Sequence, residues 1–353
     1  MKLARRLLIA FCSLAICLPF AAAQDETPPP RKTAHAKKAA ADADATSSDE
    51  KPVRRAKRVT KAEDDSDADA QPAKARSKKA KRVRPTGVPD KDDDETIAAP
   101  AAAPIPGTAP RIPPNTRAQA VMVVDARTGE ILYEKNADAP RAAASTQKLL
   151  TALFVAETGY LDQPVTVQQT DTEAEPVRLN IRPGETYQRI ELLRALLVKS
   201  PNDVARCLAR DNAGSIDAFA EKMNAKAQQL GATHSHFVNP NGLPAPQYST
   251  ARDLAIIARA AYANPTIRSI TCLQRLVFRY ANGRTRELEN TNKVLRRLPF
   301  CNGLKTGYTE AAGHCLIASG TRPGRDVIAV VLGDSKGGVW QDASALLTWG
   351  LSI

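Results

Sequence analysis

What most limits how this chain can fold is the point at which aromatic and periodically spaced apolar residues begin. Between residues 24 and 110 there is no Phe, Tyr or Trp. Blocks such as Arg54-Arg55-Ala56-Lys57-Arg58, Lys78-Lys79-Ala80-Lys81-Arg82 and Lys91-Asp92-Asp93-Asp94-Glu95 leave few side chains that a core could bury. Such a segment cannot offset the entropy lost on ordering. We therefore expect residues 24–112 to be a disordered, charged, Ala/Pro-rich tether and residues 113–353 to form one globular domain, a length that one sheet-and-helix unit fills.

The first residues follow a different pattern. A basic start (Met1-Lys2-Leu3-Ala4-Arg5-Arg6), an apolar run from Leu7 to Phe20 and Ala21-Ala22-Ala23 predict a signal peptide over 1–23, cleaved near Ala23. Lipidation at Cys17 fits less well, because bulky Ile16 precedes it, and an uncleaved anchor is the remaining alternative. Export places the domain in the periplasm or cell envelope, where Cys207, Cys272, Cys301 and Cys315 remain after cleavage. Four cysteines allow three complete pairings and the sequence does not choose among them; one disulfide or buried free thiols are expected. No Cys-x-x-Cys or His-Glu-x-x-His is present, and the His234 and His236 pair lacks a third ligand, so neither metal nor cofactor is expected. The formal charge of +12 suggests nucleic acid when taken alone. The basic blocks alternate with acidic ones, carry no aromatics and follow an export signal, which argues against that partner. Contact of the tail with the envelope, or a solvated spacer, suits them better.

From Ala118 onward the apolar pattern alternates between strand and helix periods. Ala120–Asp125 and Glu130–Glu134 predict a hairpin, and Leu149, Leu150, Leu153 and Phe154 a buried helix with Ser145 near its start. Helices are also expected over Tyr187–Val198, Ser215–Leu230, Thr250–Tyr262 and Trp340–Leu351. Asn282-Gly283 predicts a tight turn between Leu276–Tyr280 and Leu288–Asn290, and Asp326–Leu332 reads as a central strand. An N-terminal hairpin, C-terminal strands and helices inserted between them predict an α/β (α+β) fold.

Three polar groups stand out in chain order. Ser145 and Lys148 are one helical turn apart, so the amine can reach the hydroxyl if burial or nearby positive charge keeps it neutral. Ser200 and Asn202 are held between two helices. Lys305-Thr306-Gly307 lies in a strand-like stretch. In this order the sequence resembles the penicillin-recognising serine peptidases and β-lactamases, marked by Ser-x-x-Lys, Ser-x-Asn and Lys-Thr-Gly. Within them it resembles the low-molecular-mass D-alanyl-D-alanine carboxypeptidases of the S11 type. Asp125-Ala126-Arg127-Thr128-Gly129, Asn239-Pro240-Asn241-Gly242-Leu243, Thr291-Asn292-Lys293 and Gly303-Leu304-Lys305-Thr306-Gly307-Tyr308-Thr309 carry that likeness.

The resemblance implies a β-lactamase/transpeptidase-like antiparallel sheet flanked by helices, with an inserted helical region. It implies that Ser145 is acylated, that Lys148 removes its proton, that Ser200 relays a proton to the leaving amine, and that Asn202 fixes Lys148 and the substrate backbone. Lys305 and Thr306 would hold the terminal carboxylate, Gly307 would leave room for substrate backbone, and the amides of Ser145 and Tyr308 would form the oxyanion hole. The partners implied are peptidoglycan stem peptides and, as covalent inhibitors, β-lactams. The rivals are a D,D-endopeptidase using the same residues, a β-lactamase, and a non-catalytic envelope-binding protein. A β-lactamase is disfavoured because no Glu-x-x-Leu-Asn lies between the second and third motifs; Glu287-Leu288-Glu289-Asn290 reads as strand.

Overall fold

A strand apolar at every position needs cover on both faces, and two stretches of this chain meet that description: Ala120–Val124 of β1 (Ala120–Asp125), which is buried throughout, and Val327–Leu332. In the computed structural model, which describes residues 105–107 and 111–353, they lie side by side. The expected signal peptide (1–23) and all but a few residues of the expected tether (24–112) fall outside the described residues.

In chain order, β1 turns into β2 (Ile131–Lys135), and a short 3-10 turn (Ala144–Gln147) runs into α1 (Lys148–Thr158). There follow β3 (Pro164–Thr166), α2 (Gln169–Thr172), β4 (Thr186–Gln188), α3 (Arg189–Lys199), α4 (Asn202–Ala213) and α5 (Ile216–Leu230). Next come α6 (Ala251–Ala263), α7 (Pro265–Thr271), the hairpin β5 (Arg275–Arg279) and β6 (Thr285–Glu289), and α8 (Val294–Arg297). The domain closes with β7 (Cys301–Thr309), β8 (Gly313–Arg322), β9 (Arg325–Asp334) and α9 (Gly338–Ser352).

The main sheet has the order β2-β1-β9-β8-β7, antiparallel throughout, with β7 at one edge. This is the expected antiparallel sheet flanked by helices with a helical region inserted between its two halves. On one face α9 packs through Val339, Ala343, Leu346, Leu347 and Leu351 against Val121, Val123, Val327, Ala329 and Val331. On the other, Met122, Val124, Ile328, Val330 and Leu332 join the helices, with α1 in contact with α3, α4, α5 and α6. Alternate side chains of one strand thus serve two cores, the period-2 consequence of pleating.

Caps fix several helix starts. Ser215 Oγ accepts from Ala218 N at 3.0 Å and Thr250 Oγ1 from Asp253 N at 3.0 Å, each worth about 1 kcal/mol. Three expectations need correction. The helix placed at Tyr187 starts at Arg189, because Thr186–Gln188 pairs as a strand with Pro164–Thr166. The β5–β6 hairpin is a separate two-stranded sheet. All four described cysteines are free: Cys207, Cys301 and Cys315 are buried and Cys272 is exposed, so the disulfide alternative is set aside.

Candidate active site

Ser145 sits in the 3-10 turn ahead of α1, and no side-chain cap bond is made at the start of either the turn or the helix. Its hydroxyl instead donates to the Asn241 carbonyl at 3.3 Å, and Lys148 Nζ lies 2.8 Å from Ser145 Oγ. Lys148 has none of its surface exposed. Besides Ser145, its amine is 2.7 Å from Asn202 Oδ1 and 2.8 Å from the carbonyl of Asn241.

Two of those partners are fixed as acceptors. The carbonyl of Asn241 can only accept. The side-chain amide of Asn202 donates to the carbonyls of Glu175 (2.9 Å) and Pro176 (3.1 Å), which obliges its Oδ1 to face Lys148. Ser145 Oγ, Asn202 Oδ1 and the Asn241 carbonyl thus surround the amine as acceptors, and the Ser145 hydroxyl donates to the Asn241 carbonyl at 3.3 Å; a neutral amine held by Asn202 and Asn241 is within reach of the Ser145 proton. Burial, first, and the positive charge of Lys305, second, push the Lys148 pKa well below its ordinary value, against a smaller opposing pull from Asp203. The depressed pKa and the 2.8 Å separation suit a lysine able to accept the Ser145 proton.

The second motif is shaped by strain. Ser200 ends α3 with φ 65°, a left-handed conformation uncommon for a residue with a side chain. Pro201 is extended, and α4 begins at Asn202. Ser200 Oγ is buried without a hydrogen-bond partner among the described residues. An orphan hydroxyl beside the Lys148 cluster is a group available to a ligand.

The third motif lies on edge strand β7. Lys305 is 1% exposed and donates to the Thr306 carbonyl at 3.0 Å; burial pushes its pKa down to about 7. Thr306 Oγ1 bonds Thr291 Oγ1 at 2.6 Å. A Cβ on Gly307 would stand 2.9 Å from Ser145 N and 3.0 Å from Thr146 N, so the missing side chain lets β7 press on the turn that carries Ser145. Tyr308 follows at once; its ring is 56% exposed and stacks on His314 with centroids 4.4 Å apart.

The structure thus brings Ser145, Lys148 and Asn202 into direct contact, sets Ser200 two residues before Asn202, and brings the Lys305–Tyr308 strand against the Ser145 turn. Sequence reasoning missed two contributors. One is the Asn241 carbonyl, held because Asn239 Oδ1 accepts from Gly242 N (2.8 Å) while Thr151 Oγ1 donates to the Pro240 carbonyl (2.7 Å). A Cβ on Gly242 would meet the Ala144 carbonyl oxygen at 2.0 Å. The Asn-Pro-Asn-Gly turn was its available signal. The other is Asp203, 1% exposed, whose carboxylate accepts from the amides of Leu179 (3.0 Å), Asn180 (2.7 Å) and Val204 (2.9 Å). An acidic residue in the first turn of a helix was its only signal.

A sequence profile of the family described as D-alanyl-D-alanine carboxypeptidase matches residues 108–336. The chain is 38% identical over 247 residues to the D-alanyl-D-alanine carboxypeptidase DacB2 of Mycobacterium tuberculosis, covering 68% of this chain and 84% of that protein. It is 34% identical over 242 residues to a D-alanyl-D-alanine endopeptidase of Escherichia coli, covering 67% of this chain and 78% of that one. Among solved structures, a D-alanyl-D-alanine carboxypeptidase of Mycobacterium tuberculosis superposes with a TM-score of 0.66 at 35% identity, over 70% of this chain and 96% of the other.

Proposed function

The chain belongs to the S11 family of serine D-alanyl-D-alanine carboxypeptidases, and from that premise we propose that it removes the terminal D-alanine from peptidoglycan stem pentapeptides through an acyl-enzyme on Ser145. The observation that supports the assignment of the nucleophile is the Lys148 amine, fully buried, held by Asn202 Oδ1 and the Asn241 carbonyl and 2.8 Å from Ser145 Oγ.

In this reading Lys148 takes the hydroxyl proton as Ser145 Oγ attacks the carbonyl carbon of the penultimate D-alanine. The oxyanion is received by the amides of Ser145 and Tyr308. The Lys305 ammonium and the Thr306 hydroxyl hold the terminal carboxylate. As the C–N bond breaks, Ser200 Oγ passes a proton to the departing amine, and water then hydrolyses the ester. A β-lactam presents a strained amide to the same serine. The reaction is placed in the cell envelope; residues 1–23 as an export signal and 24–112 as a tether complete the proposal.

The similarity to an Escherichia coli endopeptidase supports a second reading, in which the leaving amine belongs to a cross-linked stem. Mass spectrometry after incubation with an uncross-linked pentapeptide muropeptide and a cross-linked dimer separates the two. Loss of one alanine mass from the pentapeptide is the expected result; release of monomers from the dimer alone would replace carboxypeptidase with endopeptidase, and a Ser145→Ala protein should give neither product.

A further inference from the structure

Beyond the Ser145 cleft, a polar groove of about 280 Å³ opens between the loop leading into β4 and the tip of the β5–β6 hairpin, lined by Asn180, Arg182, Glu185, Tyr280, Asn282 and Arg284. We infer that this groove is an anion subsite that takes a carboxylate of the stem peptide upstream of the scissile bond. The inference rests on the carboxypeptidase reading and extends it to substrate class.

Four observations carry it. First, many arginines of the domain are matched by carboxylates, among them Arg189 with Asp211, Arg210 with Asp171 and Arg252 with Asp138. Arg182 and Arg284 make no ion pair with any described residue, although they line one concavity. Second, the Arg284 guanidinium and the Arg182 backbone are held in place. The Arg284 guanidinium lies 4.3 Å from the Tyr280 ring centroid, and that ring is anchored by its hydroxyl donating to the Leu179 carbonyl at 2.9 Å. Arg182 opens a turn closed by its own amide donating to Glu185 Oε2 at 2.8 Å and by Glu185 N donating to the Arg182 carbonyl at 3.1 Å. Third, the Arg284 guanidinium is a planar fork held against a ring, the donor geometry that suits carboxylate.

Fourth, the groove is tied to the catalytic cluster. The buried Asp203 carboxylate holds the amides of Leu179 and Asn180, and it follows directly on Asn202, which contacts Lys148. The Val177 carbonyl of the same loop accepts from Asn202 N at 2.7 Å. Bond lengths along this path place Asn180 within about 20 Å of Ser145, and an extended peptide advances roughly 3.5 Å per residue. A stem peptide acylating Ser145 therefore has its second- and third-residue side groups in range. Two carboxylates are chemically available there: that of the γ-linked glutamate at the second position and, in diaminopimelate-type stems, that of the third residue.

The test uses the full chain and its Arg182→Ala/Arg284→Ala variant. Substrates are an acidic pentapeptide and a short neutral peptide ending in D-alanyl-D-alanine. The expected result is a fall of about 10-fold in kcat/KM for the acidic peptide, mostly in KM, as for loss of hydrogen bonds to a charged group. The neutral peptide should change less than about twofold, the scale of a distant surface change. Acylation by penicillin should be unchanged, which reports an intact site. Peptides amidated at the second-residue carboxylate, or carrying lysine in place of diaminopimelate at the third, identify which carboxylate is read, because the one that matters removes the difference between wild type and variant. Equal losses on acidic and neutral peptides, or none on either, would overturn the subsite. Should the wild type be acylated by penicillin yet cleave neither peptide, the carboxypeptidase reading fails on its own. The subsite is then decided by whether the acidic peptide slows penicillin acylation more than the neutral one in wild type but not in the variant.

Discussion

The two faces of the main sheet bury similar backbone and put it to different uses. Against α9, the side chains of Val121, Val123, Val327, Ala329 and Val331 join one apolar cluster with Leu346 and Leu347. Against the helical region, the same strands support a core interrupted by Lys148, Asn202, Asp203, Asn241 and Lys305, all buried. On the first face, burial stabilises, at roughly 1.5–3 kcal/mol for each large side chain removed from water. On the second it also destabilises ionised amines, and that penalty shifts both lysines toward the neutral form. Stability on one side of the sheet offsets charge burial on the other.

Substitutions on the two faces should therefore fail in different ways. The largest expected effect is Lys148→Met, which keeps volume and removes the base: acylation by penicillin should slow by about 10³-fold while the protein remains folded by circular dichroism. Leu346→Ala should do the reverse, lowering unfolding free energy by about 2–5 kcal/mol with the acylation rate of the folded protein unchanged. A change in the acylation rate there would break the division of labour.

A smaller effect concerns pH. The Lys305 pKa is about 7 when folded and near 10.5 when unfolded. Above pH 7 the folded state holds fewer protons at this site than the unfolded one, so this group's contribution to stability increases as pH rises and is least below 7. Lys148, also depressed, adds in the same direction. Between pH 7 and 8.5, before the buried thiols begin to act in the opposite sense, the stability of wild type should rise more steeply with pH than that of Lys305→Met, by up to about 1 kcal/mol per pH unit. The smallest effect is expected at Asp203→Asn. Its charge raises the Lys148 pKa, so its removal should move the acid limb of the acylation profile to lower pH, by less than about one unit, as for a minor charge contribution; a shift to higher pH would contradict the assignment.

What could be read from the sequence follows the physics of each feature. Continuous apolar runs marked β1 and β9, because a strand covered on both faces needs apolar side chains at successive positions. Ser145 and Lys148 were legible because one helical turn is a local relation. The Asn241 carbonyl was not, since a backbone acceptor has no residue type to reveal it, and its position depends on Asn239, Gly242 and Thr151 together. The separation of the β5–β6 hairpin from the main sheet was likewise hidden, because Asn282-Gly283 specifies a turn and says nothing about what the hairpin joins. The depressed lysine pKa values arise from burial by residues distant in sequence, which spacing does not convey.

The central claim is that a neutral, buried Lys148 makes Ser145 the acylated nucleophile. Its most direct test is peptide mapping by mass spectrometry after exposure of the full chain to benzylpenicillin. The account predicts one penicilloyl group, located on Ser145 and absent from Ser145→Ala. An adduct on Ser200 or another residue, or none on a folded protein, would contradict it.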